Sequence, residues 1–158
     1  ANLWAKKIRH RLSLMGVKDI IKNEKFLMLA GDNFYSANAL KKFNIKDNYN
    51  YIGGAYCPRP ENYGVILADD KGFLKKIVEK PPKYIGNLIN TSLYKFTPEV
   101  FKKLPKIKKS PRGEYEITDL ITMLAKDKKV KVKTVGGFWL DLSKSTDIKK
   151  LTKFLKRR

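Results

Sequence analysis

Cysteine and histidine are nearly absent from this sequence of 158 residues. Cys57 and His10 are the only residues of their types. A single cysteine excludes an internal disulfide and favours a reducing compartment, so we expect a cytoplasmic protein. No apolar run approaches the roughly 18 residues that a membrane-spanning helix needs. The first residues also lack a signal-peptide pattern. We therefore expect no membrane partner.

Acidic residues are also few. Asp and Glu number 15 against 35 Lys and Arg, which gives a net charge of +20. Such a charge attracts anions, including nucleic acids, phosphorylated metabolites and acidic membranes. The lysines are spread along the chain, however, as in Lys-rich thermophile proteins. Because no RNP motif, zinc-ligand set or basic–aromatic repeat accompanies them, a basic nucleic-acid-binding module is the least favoured hypothesis.

Hydrophobic residues make up 42% of the sequence, enough for a single domain over residues 1–158 with its own core. Apolar periodicity, caps and breakers predict helices over 3–22, 36–47, 97–104, 116–126 and 146–156. Runs rich in β-branched and aromatic residues predict strands over 26–30, 51–57, 63–68, 73–78, 88–96, 130–135 and 138–141. This alternation of helices and strands predicts an α/β fold.

The first predicted strand ends next to a candidate ligand site. Residues 26–30 form a continuous apolar run, which is typical of a strand buried on both faces of a parallel sheet. Asp32 follows directly. In open parallel sheets, ligands bind beyond the carboxyl ends of the strands, so Asp32 lies where chemistry is expected.

Five short segments, in one order along nearly the whole chain, carry a resemblance to a known family. They are FLMLAGDN at 26–33, NYGV at 62–65, IVEKP at 77–81, SPRGEYEITD at 110–119 and FWLD at 138–141, with Asp147 beyond the last. Together they resemble the sugar-1-phosphate nucleotidylyltransferases. The spacing is most similar to bacterial glucose-1-phosphate thymidylyltransferases and to archaeal UTP–glucose-1-phosphate uridylyltransferase-like enzymes. These enzymes join a nucleoside triphosphate to a sugar 1-phosphate and release pyrophosphate.

The resemblance implies a Rossmann-like fold of the nucleotide-diphospho-sugar transferase type. In that fold a mixed, mostly parallel sheet is flanked by helices. The family's Gly-rich GxGTRxxP loop does not occur in this sequence, and neither of its double glycines is followed by Thr-Arg. The chain therefore resembles the C-terminal two-thirds of the catalytic domain and is expected to lack the N-terminal strands.

The resemblance also implies roles for individual residues. Asp32 and Asp141 match the family's metal aspartates, which would share one Mg²⁺ ion. Glu79 would accept hydrogen bonds from sugar hydroxyls. Lys80, the candidate catalytic residue, would contact the sugar phosphate as a compact charge. Without the resemblance, each of these residues could equally be a turn, cap or surface residue.

Four further residues are implied as substrate contacts. Tyr63 and Gly64 match the YGV segment, where a glycine would let the sugar approach the backbone closely. Asn90 and Thr91 align with the sugar-contacting segment that follows EKP. For Gly64, an ordinary strand glycine is nearly as good an explanation. For Asn90 and Thr91, ordinary buried strand polar groups explain the sequence equally well.

These observations lead to a main hypothesis and an alternative. The chain is either the sugar-phosphate- and metal-binding part of a nucleotidylyltransferase or a non-catalytic, regulatory sugar-phosphate-binding remnant. As an enzyme part acting on UTP or dTTP and glucose 1-phosphate, it would need the missing loop from a separate N-terminal half. A sheet without its first strands would expose an edge, so we expect a complementary chain or a second copy as partner.

Overall fold

The structure is a computed structural model that describes residues 9–43, 46–110, 113, 115–142 and 145–156, with side chains from residue 14 onward. The start of the predicted first helix lies outside the described residues. The side chain of His10 lies outside them as well. The same holds for Arg112 and Glu114 in the fourth resemblance segment.

The described elements follow the predicted order closely. The helices are α1 (Arg9–Ile21), α2 (Ala37–Lys41), α3 (Val100–Lys103), α4 (Ile117–Lys126) and α5 (Ser145–Leu155). The strands are β1 (Phe26–Leu29), β2 (Asn33–Tyr35), β3 (Asn50–Tyr56), β4 (Gly64–Ala68), β5 (Leu74–Glu79), β6 (Leu88–Phe96), β7 (Val130–Thr134) and β8 (Trp139–Asp141). Short 3₁₀ turns occupy Pro60–Asn62 and Leu104–Lys106.

Strand β6 is the centre of the larger sheet. The path of the sheet is β5-β4-β6-β3-β7, and β1 also pairs with β6. Strand β3 runs along one edge of β6, while β4 and β1 share the other edge, meeting it at Ile89 and at residues 93–96 respectively. Strands β2 and β8 form a separate two-stranded sheet, called here the aspartate ribbon.

The predicted mixed α/β sheet with flanking helices is confirmed. Among the described pairings of the larger sheet, however, only β3 with β7 is parallel, whereas β1–β6, β3–β6, β4–β5 and β4–β6 are antiparallel. The prediction that 26–30 is buried on both faces is wrong, because exposure alternates along β1 and Leu27 and Leu29 are 37% and 39% exposed. A short apolar run does not by itself determine strand direction or burial.

The main core lies between the larger sheet and helices α3 and α4. The buried face of α4 is the one that its spacing predicts, with Ile117, Leu120, Ile121 and Leu124 all turned inward. They pack with buried side chains of β3, β6 and α3, which include Ile52, Tyr94, Phe96, Val100 and Phe101. This packing holds β6 in place, and β6 supports the loops next to it.

Strand β1 lies at the margin of the described sheet. Its pairing partner among the described strands is β6, along one edge. Beside it, the inner side chains of α1 and the start of α4 form the walls of a trough. Within the described residues, none of the helices is both long enough and apolar enough to span a bilayer.

Candidate functional site

The aspartate ribbon brings Asp32 and Asp141 together from distant parts of the sequence. Antiparallel pairing of β2 with β8 places Asn33 opposite Asp141. The next contact along the ribbon is a hydrogen bond of 2.9 Å from the Leu142 amide to the Asp32 carbonyl. The Asn33 side-chain amide donates to Asp32 Oδ1 at 3.0 Å. Asp32, directly before β2, and Asp141, at the end of β8, are thus diagonal neighbours in the backbone of the ribbon.

The double glycine before β8 lets the ribbon close onto α2. Gly137 has φ +88°, and a Cβ there would lie 2.6 Å from Ser36 Oγ. Ser36 Oγ accepts from the Phe138 amide at 3.2 Å and caps α2 by accepting from the Ala39 amide at 3.4 Å. Ser36 is thus the N-cap of α2, and its hydroxyl also holds the start of β8. The Tyr35–Trp139 end of the ribbon is therefore fixed to the start of α2.

The β4–β5 hairpin positions Glu79 and Lys80. Gly64 and Glu79 are register partners, and a Cβ on Gly64 would lie 2.9 Å from Glu79 Oε1. The absence of a side chain at position 64 thus makes room for the Glu79 carboxylate. Lys80 follows with φ +42°, a left-handed conformation, and its amide donates to the Tyr63 carbonyl at 3.0 Å. Both Glu79 and Lys80 are exposed at this end of the hairpin.

Strand β6 bulges where it carries Asn90 and Thr91. Ile52 pairs with Tyr94 and Gly54 with Asn90, so one residue of β3 faces three residues of β6 between these pairs. Thr91 is fully buried, and its hydroxyl donates to the carbonyl of that one residue, Gly53, at 2.9 Å. The side chain of Thr91 is therefore committed to the bulge in this structure rather than to open space.

Asn90 both supports the bulge and reaches the trough. Its Oδ1 accepts from the Ser92 amide at 2.9 Å, and its Nδ2 donates to the Tyr94 hydroxyl at 2.8 Å. Ser92 has φ +57°, which is uncommon for a residue with a side chain. An amide group offers two donors and two acceptor positions, so one of each remains beyond these bonds.

A single cavity of about 820 Å³ collects several of the predicted site residues. Asp32, Glu79 and Asn90 line it together with Ser92 and Tyr94. Its apolar wall comes from α1 and β1, and its far end from the start of α4, through Leu14, Val17, Ile21, residues 26–31 and residues 116–118. A volume of this size is in the range of small-molecule sites.

Tyr63 lies next to the aspartate ribbon, outside the lining of this cavity. Its ring is 6.2 Å from that of Trp139 in an edge-on contact. Burial, and secondarily the nearby Asp141 carboxylate, raises the pKa of Tyr63 above its ordinary value. Trp139 is half-buried and donates from Nε1 to Asn33 Oδ1 at 2.8 Å. Tyr63 and Trp139 thus form an aromatic wall beside Asp141.

The donor set suits a hard divalent cation that keeps most of its water. Within the part of the chain that the structure describes, no group of three or more His, Cys, Asp or Glu side chains could hold a metal ion. Two neighbouring aspartates are nevertheless adequate for Mg²⁺, which binds through one or two carboxylates, waters and substrate phosphates. Asp32 and Asp141 therefore fit such an ion.

Comparison with known proteins identifies the family of this chain. A family model described as nucleotidyl transferase matches residues 13–158. The chain belongs to the nucleotidyl transferase family. The resemblance noted in the sequence is thereby confirmed.

Two archaeal relatives are longer than this chain. It is 41% identical over 127 residues to the bifunctional sugar-1-phosphate nucleotidylyltransferase/acetyltransferase of Sulfurisphaera tokodaii, covering 80% of this chain and 31% of that protein. It is 29% identical to the UTP–glucose-1-phosphate uridylyltransferase AglF of Haloferax volcanii, covering 86% of this chain and 58% of that protein. The chain thus spans 31% and 58% of the length of these two relatives.

A solved structure supports the same fold for this chain. UDP-glucose pyrophosphorylase complexed with UDP-glucose superposes with a TM-score of 0.78 at 22% identity, covering 94% of this chain and 62% of that one. At this identity the likeness establishes the fold, which agrees with the predicted Rossmann-like class.

Sequence reasoning missed Ser92 and Tyr94, which line the cavity, and Tyr35, which contacts the bulge. Tyr35 follows the recognised GDN segment but matches no expected contact, and its hydroxyl lies 2.6 Å from the Thr91 carbonyl. Nothing in the sequence indicates a left-handed serine inside a strand, because the bulge arises only when β3 and β6 pair. The one available signal is the double glycine at 53–54, since glycine inside a strand often marks a bulge.

The buried Tyr94 hydroxyl generates a pH prediction. Burial raises the pKa of Tyr94 to about 12, although the hydrogen bond from Asn90 partly offsets this. The pKa of this hydroxyl is higher in the folded chain than in the unfolded chain, where it is near 10, so the folded state is favoured while the hydroxyl is protonated. This contribution to the free energy of unfolding is present below pH 10 and is lost as the pH rises from about 10 to 12. We expect Tyr94→Phe to lose less stability than the wild type over that range in urea unfolding. Tyr84→Phe, at a 74% exposed position, is the control. Parallel pH profiles for Tyr94→Phe and wild type would contradict the assignment.

Proposed function

We propose that this chain carries the sugar-1-phosphate- and metal-binding part of a nucleotidylyltransferase. The reaction joins UTP or dTTP to a sugar 1-phosphate, with glucose 1-phosphate the first candidate. A phosphate oxygen of the sugar 1-phosphate bonds to the α-phosphorus of the triphosphate, and the bond from that phosphorus to the leaving pyrophosphate breaks. Both relatives named above bear names for activities on sugar 1-phosphates.

The observation that carries this proposal is the shared cavity. Asp32, Glu79 and Asn90 come from three separate elements yet line one space. Asp141, outside this lining, is the register partner of Asn33, the residue that follows Asp32. The carboxylates and the amide that line the cavity fit the hydroxyls of a sugar, while a cation bound at Asp32 and the charge of Lys80, outside the lining, would accommodate the phosphate.

Each polar group has a distinct role in the proposal. The Glu79 carboxylate accepts hydrogen bonds from sugar hydroxyls, and Asn90 uses its remaining donor and acceptor for the same purpose. The backbone amide of Lys80 donates to the Tyr63 carbonyl, which holds the residue in place. Its side chain places a positive charge against the sugar phosphate. Thr91 acts indirectly, by holding the bulge that orients Asn90. Gly64 acts by leaving space for the Glu79 carboxylate.

Asp32 and Asp141 would hold Mg²⁺, which neutralises phosphate charge when bound. For transfer between phosphates, positioning and charge neutralisation supply most of the catalysis, so the protein needs no covalent intermediate. The aspartates contribute by fixing where the charge is neutralised relative to the sugar-phosphate subsite.

Turnover also requires a phosphate cradle for the triphosphate, which this sequence does not contain. We propose that a complementary N-terminal segment supplies it and pairs with β1 at the margin of the described sheet. The marginal position of β1 and the exposure of Leu27 and Leu29 support this location. The chain alone is then expected to release no pyrophosphate from UTP or dTTP with glucose 1-phosphate.

Metal binding tests the aspartate pair. In the presence of glucose 1-phosphate, we expect Asp32→Asn and Asp141→Asn each to weaken Mn²⁺ binding by about tenfold or more, because losing a ligand costs at least as much as losing a supporting contact. Electron paramagnetic resonance of free Mn²⁺ measures the affinity directly. Asp70→Asn, an exposed turn carboxylate of equal charge, is the matched control. Wild-type affinity in either site variant would show that the aspartate is not a ligand.

The close approach of Gly64 to the Glu79 carboxylate predicts that the effects of substitutions at these two positions are not additive. Gly64→Ala should push the flexible Glu79 carboxylate aside and weaken glucose 1-phosphate binding about as much as Glu79→Ala does. The double variant should then bind no worse than Glu79→Ala alone in calorimetric titrations. Gly16→Ala, which has open space around the new Cβ, is the control. Additive losses would mean that Gly64 acts independently of Glu79.

The β1 margin predicts association. At moderate salt we expect the chain to form larger species in light scattering, or to pair with an added N-terminal half. Leu29→Lys, which puts a charge on β1, should reduce this, whereas Ile148→Lys on the exposed face of α5 should not. A single wild-type species at 18.3 kDa with a cooperative melt would contradict the proposed pairing.

A further inference from the structure

Two consecutive carbonyl groups of the β6 bulge hold both ends of the segment that contains Asp32. The Ser92 carbonyl accepts from the Ala30 amide at 3.2 Å. The preceding carbonyl, that of Thr91, accepts from the Tyr35 hydroxyl at 2.6 Å. Asp32 lies between these two attachments, so its backbone is tied to the bulge on either side.

The bulge is itself held in an unusual conformation. Ser92 keeps its left-handed backbone while the side chain of Asn90 accepts its amide hydrogen. The Thr91 hydroxyl anchors the opposite side to Gly53, where a Cβ would lie only 2.7 Å from it. Such conformations persist only where the surroundings enforce them, and they are often found at functional sites.

Tyr35 is the long-range member of this network. It lies in the ribbon opposite Trp139 in the β2–β8 register, yet its hydroxyl reaches the larger sheet. Burial raises the pKa of Tyr35, which keeps the hydroxyl protonated and able to donate. A buried carbonyl left without a donor is costly, so the Thr91 carbonyl depends on this contact.

We infer that Tyr35 is a positioning residue that sets the ribbon bearing Asp32 and Asp141 against the bulge bearing Asn90. This inference rests on the proposed function, because it assigns the metal ligands to the ribbon and a sugar contact to the bulge. In this assignment Tyr35 contacts neither the metal ion nor the sugar. It acts by fixing the distance between the two parts of the site.

Amide hydrogen exchange of the full chain tests the tie itself. We expect Tyr35→Phe to speed exchange at Ser92 and Ala30 by about tenfold, the equivalent of one lost hydrogen bond. Tyr51→Phe is the matched control, because it removes a hydroxyl that donates at 2.7 Å to Asp47, away from the bulge. It should leave exchange at Ser92 and Ala30 unchanged. Unchanged exchange in Tyr35→Phe, or equal acceleration in both variants, would overturn the inference.

A rescue and a metal measurement separate positioning from general stability. Replacing Tyr35 by 4-aminophenylalanine keeps a donor on the ring and should restore slow exchange, whereas failure to do so would overturn the inference. Mn²⁺ affinity should fall about fivefold in Tyr35→Phe, the effect of a displaced rather than deleted ligand, and remain unchanged in Tyr51→Phe. Unaltered Mn²⁺ affinity in Tyr35→Phe would overturn the positioning role.

The experiment also separates this inference from the proposed function. A wild-type chain that binds no Mn²⁺ would contradict the metal assignment, while the exchange data would still decide whether Tyr35 ties the two sheets. If Tyr35→Phe does not fold, incorporation of 3-fluorotyrosine, a stronger donor, replaces it. Slower exchange at Ser92 and Ala30 in that protein supports the tie, and unchanged exchange overturns it.

Discussion

The bulge in β6 is the constraint on which the rest of the site depends. Strand β6 pairs with β3 on one edge and with β4 and β1 on the other. A distortion in β6 therefore affects every strand that pairs with it. At the irregularity between β3 and β6 the Thr91 carbonyl accepts from the Tyr35 hydroxyl, and the Ser92 carbonyl accepts from the Ala30 amide, the next position of the β1–β6 register. The same distortion turns Asn90 toward the cavity. One irregularity thus links an amide that lines the cavity to the segment that contains Asp32.

Small residues permit the close contacts around this bulge. Gly53 admits the Thr91 hydroxyl, Gly64 admits the Glu79 carboxylate, and Gly137 admits the Ser36 hydroxyl. In each case a polar group occupies the volume that a Cβ would take. The site is therefore built by placing polar side chains against bare backbone, which fixes their positions more firmly than exposed loops would.

Much of the fold could be predicted from local sequence, whereas the site geometry could not. The hairpin at 64–79, strand 88–96 and the inward face of α4 follow from turn residues and periodicity, which are local properties. The antiparallel pairing of β1 and the bulge at Thr91 depend on which strands meet, so no local pattern indicates them. The position of Asp32 after a predicted strand marks it as a candidate, but the assignment of Asp32 and Asp141 as metal ligands comes only from the family resemblance of the flanking motifs. Tyr35 was missed because its partner is a backbone carbonyl 56 positions away.

Chemical-shift mapping with glucose 1-phosphate and Mg²⁺ tests the central claim, that this chain holds a specific sugar-phosphate and metal site. The account predicts saturable shifts concentrated at the amides of Gly64, Lys80, Ser92 and Leu142, with the lysine-rich outer surface unaffected. A net charge of +20 could also attract a phosphate without any site. Weak shifts spread over surface lysines, or none at the bulge and ribbon, would contradict the account.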